Sequence, residues 1–126
     1  MSHSVKSHSW RRKFSVAFAG LHHAWQTQSS LRVHCICGFM VLGLGVLTGL
    51  SRIEWAILLL AIGLVIGLEL LNTSVEAVVD LASPELAELA RIAKDVAAAA
   101  VLVAAVTAVC VGGCLFVPYW WQGLGF

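Results

Sequence analysis

Three long apolar runs constrain this chain more than any other feature of its sequence. The first covers residues 33–51 without a formal charge and lies between Arg32 and Arg52. The second covers residues 55–81 and has polar residues in its later half, and the third covers residues 96–117. A helix of about 20 apolar residues crosses the hydrocarbon core of a bilayer. We therefore predict three transmembrane helices.

The composition excludes several classes of protein. Of the residues, 60% are hydrophobic and only 12% are charged, whereas a typical soluble domain carries about 25% charged residues. Disordered chains are polar and highly charged. A net charge of +1 without a long basic run indicates no nucleic-acid partner. We predict one all-α membrane domain over residues 9–126, with spans at about 33–51, 55–81 and 84–117, after a disordered tail over residues 1–8.

An amphipathic segment precedes the first span, over about residues 9–30. Its large apolar residues recur at a spacing near 3.6 residues, which is typical of one face of a helix. They are Trp10, Phe14, Ala17, Phe18, Leu21 and Trp25. Basic residues at positions 11–13 lie beside this face, where they would meet lipid headgroups. We predict a helix that lies in the membrane interface.

The distribution of Lys and Arg predicts the orientation. Most of these residues lie before the first span or between the second and third spans, and Arg52 lies on the opposite side. By the positive-inside rule, the N-terminus and residues 82–95 are cytoplasmic. In that second region Ser83 is suited to an N-cap and Pro84 to a first helical position, so a helix is predicted to restart at Pro84.

Five polar residues mark the later half of the second span. Their spacing of i, i+3, i+4, i+7 and i+11 places them on one face of a helix. They are Glu69, Asn72, Thr73, Glu76 and Asp80. A carboxylate near the membrane core costs several kcal/mol unless it is paired or hydrated. A solvated helix end would explain Asp80 better than Glu69, which directly follows an apolar run, and the stripe therefore indicates a functional site.

A second polar set follows, again in steps of three and four residues. It consists of Glu85, Glu88, Arg91, Lys94 and Asp95. A lysine beside an acid at the mouth of a helix bundle could serve a phosphate and its magnesium, because Mg²⁺ takes carboxylates together with substrate phosphates. The alternative is a structural ion pair between residues three or four positions apart.

The two sets together resemble the signature of a known family. Glu69-Leu-Leu-Asn72-Thr-Ser-Val-Glu76-Ala-Val-Val-Asp80, followed by Ala93-Lys94-Asp95, is similar to the signature of the small bacterial integral-membrane diacylglycerol kinase and undecaprenol kinase family. The amphipathic segment resembles the surface helix of that family, and Leu31-Arg32-Val33-His34 resembles the start of its first span, in the undecaprenol kinase branch. The resemblance covers roughly residues 10–117.

The resemblance implies an ATP- and Mg²⁺-dependent lipid kinase of the bacterial inner membrane. Such an enzyme is a homotrimer with its active site at the cytoplasmic interface between subunits. Its substrate is the primary hydroxyl of a membrane lipid alcohol, here diacylglycerol or undecaprenol. By the same resemblance Glu69 is the general base, Asn72 positions the reacting groups and Glu76 binds the metal.

Further site residues also follow from the resemblance. The nucleotide contacts that it implies are Glu76, Asp80, Glu85, Lys94 and Asp95. The lipid contacts that we predict are Phe14, Phe18, Arg32 and Glu69. Many members of the family have a metal-binding glutamate where this chain has Gln28, whose amide oxygen can ligate a metal but brings no charge.

A non-enzymatic function is the alternative. A transporter subunit or an adaptor would also place glutamates on an inward-facing stripe. A transport path, however, needs polar groups through the midplane, and here they cluster with Lys94 at the cytoplasmic end. We therefore favour the kinase. His34 receives no role at this point, and the two Gly-x-x-x-Gly pairs, Gly45 with Gly49 and Gly63 with Gly67, are interpreted as helix contacts.

Overall fold

The computed structural model describes residues 9–85 and 87–125, and it is all-α, as predicted. In chain order these residues form α1 (Trp10–Thr27), α2 (Ser29–Thr48), α3 (Arg52–Ala82) and α4 (Glu88–Gly123). The three later helices are each long and apolar enough to cross a membrane. The predicted disordered tail over residues 1–8 lies outside the described residues.

The amphipathic segment and the first span meet at an elbow rather than in a continuous helix. Gln28 has an extended backbone with φ −109° and ψ 109°, so α1 ends at Thr27 and α2 begins at Ser29. The N–H of Gln28 still donates to the carbonyl of Ala24 at 2.8 Å. The elbow therefore places the side chain of Gln28 at the junction of two helices.

The connection between α2 and α3 is short and well capped. Gly49 closes α2 with φ +76°, a conformation that favours glycine. Ser51 and Glu54 then form a capping box, in which the Ser51 hydroxyl accepts from the Glu54 N–H and the Glu54 carboxylate accepts from the Ser51 N–H. Gly45 faces Trp55 so closely that a Cβ there would lie 2.9 Å from the indole Cη2.

The prediction that a helix restarts at Pro84 is wrong. Residues 84–85 form a turn and α4 begins at Glu88, with Ala87 as its N-cap. Ser83 is the C-cap of α3, and its hydroxyl accepts from the N–H of Ala87 at 3.1 Å. The hydroxyl thus closes the turn instead of capping a helix that starts at Pro84.

The last helix extends past residue 117, where we expected the third span to end. Pro118 lies inside α4, which continues to Gly123. A proline removes one backbone hydrogen bond from a helix interior. The rings of Phe116 and Trp120 stack across this position with centroids 6.0 Å apart. The two stacked rings lie on one face of α4 and span the position at which the helix continues past Pro118.

Helices α3 and α4 form an antiparallel pair that is fixed at both ends. At one end the Tyr119 hydroxyl donates to Glu54 at 2.7 Å, next to an apolar core that consists of Leu50, Leu58, Leu115 and Phe116. At the other end Lys94 donates to Asp80 at 2.8 Å. The 31 residues of α3 extend over about 46 Å, well beyond a bilayer core of about 30 Å.

Candidate active site

The Glu69 carboxylate is buried between α3 and the first turns of α2. Only 2% of the residue is exposed. Ser30 donates to its Oε2 at 3.0 Å, and the Nε2 of His34 lies 3.2 Å from its Oε1. The Thr73 hydroxyl donates to the Glu69 carbonyl at 2.9 Å. Since Ser30 is in the first turn of α2, Glu69 lies level with the beginning of the first span and not at its middle.

A second carboxylate, that of Glu76, lies two turns further along α3. Asn72 donates to its Oε1 and Gln28 donates to its Oε2, each at 3.2 Å. Gln28 reaches this position from the elbow between α1 and α2. Asn72 Oδ1 is buried and has no hydrogen-bond partner among the residues that the structure describes. The structure thus brings together three residues that the sequence analysis placed in one site.

The donor set around Glu76 fits a hard cation. In the described part of the chain, no group of three or more His, Cys, Asp or Glu side chains is placed to hold a metal. Mg²⁺, however, often takes only one or two carboxylates and completes its shell with water and substrate phosphates. Glu76 supplies a carboxylate here, and the buried Asn72 Oδ1 supplies an oxygen that lacks a partner.

Lys94 lies over the same stripe of α3. Its ammonium pairs with Asp80, which is one turn beyond Glu76. The Lys94 side chain is 29% exposed, whereas that of Asp80 is 62% exposed. This contact crosses from α4 to α3, and so it differs from the pairs within one helix that we considered as the alternative for Lys94.

Asp95, in contrast, forms an ion pair within its own helix, which is the structural alternative considered in the sequence analysis. Arg91 bonds to Asp95 at 2.7 Å and to Glu88 at 2.6 Å, both on the exposed surface of α4. Glu85 is exposed in the turn before α4. Within residues 9–85 and 87–125, neither Glu85 nor Asp95 forms a hydrogen bond with the stripe on α3. One chain by itself therefore unites only part of the predicted nucleotide contacts.

The predicted lipid contacts other than Glu69 occupy two different places. Phe14 and Phe18 are exposed on α1, at 62% and 67%. Arg32 donates from Nη1 to the carbonyls of Trp25 and Gln26, at 3.2 and 3.3 Å. Arg32 thus satisfies carbonyls at the C-terminal end of α1 and holds the elbow in shape.

An apolar cavity of about 360 Å³ opens between α2, α3 and α4. Its walls include Val41, Ile62, Val65 and Ala108, and it extends as far as Phe116. His34 also lines it, and His34 contacts Glu69. A cavity of this size and lining suits the apolar part of a ligand, whose polar end would then lie beside the buried carboxylate.

Sequence analysis missed two residues of this site, Ser30 and His34. They lie four positions apart and therefore on one face of α2. That spacing was visible in the sequence. Their partner Glu69 lies on another helix, however, and only the packing of α2 against α3 reveals the contact.

Comparisons with known proteins point to one family. Residues 15–116 match the family of prokaryotic diacylglycerol kinases. The chain is 49% identical over 106 residues to a diacylglycerol kinase of Synechocystis sp., an alignment that covers 83% of this chain and 61% of that protein. It is 40% identical over 107 residues to an undecaprenol kinase of Bacillus subtilis, and this alignment covers 85% of this chain and 87% of that protein. It is 32% identical over 93 residues to a diacylglycerol kinase of Escherichia coli, covering 74% and 76%.

These similarities confirm the family that the polar stripe indicated. The relatives are bacterial, and together with the three apolar helices they support a bacterial membrane protein. A kinase family implies ATP as the phosphate donor. With its match over most of its length, this chain belongs to the prokaryotic diacylglycerol kinase family, whose members are lipid kinases.

Proposed function

We propose that this protein transfers the γ-phosphate of ATP, with Mg²⁺, to the primary hydroxyl of a membrane lipid alcohol, either diacylglycerol or undecaprenol. One observation carries the proposal. The Glu69 carboxylate is buried level with the beginning of the first span, next to His34 at the apolar cavity. A base in that position meets the hydroxyl of a lipid whose chain lies in the membrane.

Glu69 acts as the general base. Its carboxylate accepts the proton of the lipid hydroxyl while that oxygen forms a bond to the γ-phosphorus and the bond between this phosphorus and ADP breaks. Phosphoryl transfer depends on positioning and on charge neutralisation more than on covalent chemistry, and a positioned base contributes about 10²- to 10⁴-fold. Asn72, one turn from Glu69, positions the reacting groups.

Glu76, Asn72 and Gln28 would hold the magnesium ion. When bound, Mg²⁺ neutralises charge on the ATP phosphates. Support comes from the two amides that already surround the Glu76 carboxylate at 3.2 Å and from the unpartnered oxygen of Asn72. Lys94 adds a positive charge for the phosphates beside Asp80, and Glu85 and Asp95 stay predicted nucleotide contacts.

The active site is shared between subunits of a homotrimer, on the cytoplasmic side of the membrane. The support is that one chain leaves Asp95 and Glu85 exposed and apart from the α3 stripe. Helix α1 lies in the interface, with Phe14 and Phe18 toward the lipid. Native mass spectrometry of the purified protein should detect three copies, and a monomer would contradict the assembly.

The decisive experiment offers each lipid separately. The purified protein in lipid or detergent is incubated with labelled ATP and Mg²⁺ and with either diacylglycerol or undecaprenol, and the phosphorylated lipid is counted. Label in one lipid establishes the kinase and identifies its substrate. Label in neither lipid, from a protein shown to be a folded oligomer, would contradict the proposed function and favour a non-enzymatic role.

A further inference from the structure

We propose that His34 is a positioning residue that holds the Glu69 carboxylate in the orientation required of the base. This inference rests on the proposed function of Glu69. The observation behind it is the contact of 3.2 Å between His34 Nε2 and Glu69 Oε1, which joins α2 to α3. His34 is 27% exposed at the side chain, whereas the Glu69 side chain is 3% exposed.

A buried carboxylate requires donors, because burial without hydrogen bonds is costly. Each oxygen of Glu69 has one polar neighbour: Ser30 donates to Oε2 at 3.0 Å, and His34 Nε2 lies 3.2 Å from Oε1. Contacts on both oxygens fix the plane of the carboxylate as well as its position. A carboxylate oxygen has two lone pairs, so each oxygen keeps one for the substrate proton.

The contact also restricts the imidazole. Nε2 faces the Glu69 carboxylate, and a ring with a hydrogen on that nitrogen can pair with it. Nothing in this arrangement requires His34 to exchange protons with the substrate. Its role is exercised through Glu69.

The location of His34 separates this role from simple packing. His34 lines the cavity together with Val33 and Cys37, and its imidazole reaches Glu69 from there. The contact with Glu69 therefore lies where the apolar chain of a bound lipid would meet the base. A small rotation of the carboxylate at this place would turn its free lone pairs away from the hydroxyl.

Two matched substitutions test the geometry. The amide nitrogen of glutamine reaches the position of histidine Nε2, whereas that of asparagine is one bond shorter and reaches only the position of Nδ1. His34→Gln should keep kcat within a few-fold of the unmodified protein. His34→Asn and His34→Leu should lower kcat by about 100-fold, the loss that follows from a misplacement of roughly 1 Å, while KM for ATP stays unchanged.

A double substitution supplies a readout that does not depend on stability. If His34 acts through Glu69, His34→Leu should change the residual rate less than twofold when Glu69 is already Gln. A merely structural role would lower the rate equally in both backgrounds, and that result would overturn the proposal. Equal rates for His34→Gln and His34→Asn would overturn it too.

The unmodified protein is assayed first, because its activity tests the proposed function independently of the role of His34. If it phosphorylates neither diacylglycerol nor undecaprenol, the proposed function fails. If it is active and His34→Leu is equally active, only the role of His34 fails. Thermal unfolding of every variant in the same detergent shows whether a lost rate reflects lost folding.

Discussion

At the scale of single residues, Glu69 and Glu76 differ in what surrounds them. Glu69 is buried, accepts a hydrogen bond from the Ser30 hydroxyl and lies next to the His34 imidazole. Glu76 is half-buried and receives two amides. The amides beside Glu76 also carry carbonyl oxygens, which a hard cation prefers, and the imidazole beside Glu69 has none. The difference in neighbours therefore matches the difference in proposed roles.

Replacement of the proposed base should lower turnover strongly without loss of nucleotide binding. Glu69→Gln keeps the size of the side chain and can still bond to Ser30 and His34, but it cannot accept the proton. We expect kcat to fall by about 10²- to 10⁴-fold. ATP binding, measured by titration calorimetry, should be unchanged.

The control for that substitution is Glu88→Gln, since Glu88 is exposed and pairs with Arg91 within α4. An exposed pair of this kind contributes at most about 1 kcal/mol, and kcat should stay unchanged. If Glu69→Gln instead loses turnover, nucleotide binding and folding together, Glu69 is structural and not the base.

A carboxylate in place of the Gln28 amide should strengthen metal binding. Gln28→Glu places a second negative charge beside Glu76 in place of an amide that donates to it at 3.2 Å. We expect Mn²⁺, used as a spectroscopic substitute for Mg²⁺, to bind the purified protein more tightly, and the Mg²⁺ requirement for activity to shift to lower concentration.

The matched control is Gln26→Glu, the same change on the exposed part of α1. It adds the same net charge without a Glu76 contact and should leave the metal titration as it was. Unchanged Mn²⁺ and Mg²⁺ titrations for Gln28→Glu would remove residue 28 from the metal site.

The sequence was sufficient for the residues of the stripe because they belong to one helix. Periodicity places Glu69, Asn72 and Glu76 on one face wherever that helix lies. The donors to Glu69 come from a different helix, and the register of α2 against α3 is a property of packing. His34 therefore could not be assigned a role from its position in the chain.

At the scale of the helices, the glycines of α2 have different functions that their spacing does not reveal. Gly45 touches Trp55 of α3, Gly49 is a C-cap, and a Cβ at Gly43 would meet nothing within 4 Å. Gly45→Ala should lower the free energy of unfolding by about 1–3 kcal/mol, because the added methyl group overlaps the indole. Thermal unfolding in detergent measures this loss.

Gly43→Ala is the matched control, two residues away on the open side of the same helix. There the methyl group meets no neighbour, and alanine favours a helix over glycine by about 1 kcal/mol. We expect stability equal to or slightly above that of the unmodified protein. A loss equal to that of Gly45→Ala would mean that contact with Trp55 is not the cause.

Helix ends were predicted less well than helix cores, for reasons visible at two places. Ser83 and Pro84 have the sequence features of a helix start, yet the Ser83 hydroxyl bonds to Ala87 and closes a turn. Gln28 has no feature that predicts a break, yet α1 ends there, where Arg32 satisfies the carbonyls of Trp25 and Gln26. At the first place the C-cap side chain bonds across the turn, and at the second a side chain four residues beyond the break bonds back to the helix end.

At the scale of the whole molecule, polar contacts join α3 and α4 near both ends of the pair. The contact far from the site joins Tyr119 to Glu54 at 2.7 Å. Tyr119→Phe removes it and should lower the free energy of unfolding by about 1 kcal/mol, without effect on kcat at temperatures well below unfolding. Thermal unfolding and a rate assay on the same sample measure both.

Thr107→Val serves as the control for Tyr119→Phe. It also removes a hydroxyl from α4, but that hydroxyl bonds only to the Val103 carbonyl of its own helix. Its effect on stability should be much smaller. Equal effects would show that the contact between the helices contributes nothing beyond the loss of a polar group.

The position of Glu69, level with the first turn of α2, has a consequence for how the protein meets its substrates. In the proposed reaction the nucleotide arrives in three dimensions, from water, while the lipid arrives in two, by diffusion within its own leaflet. The lipid need not leave that leaflet for its hydroxyl to reach the carboxylate. The rate at which the protein meets the lipid then depends on the number of lipid molecules per unit area of membrane, and not on their concentration in the sample. Added inert lipid spreads a fixed quantity of substrate over more membrane, and it therefore dilutes the substrate that this protein meets.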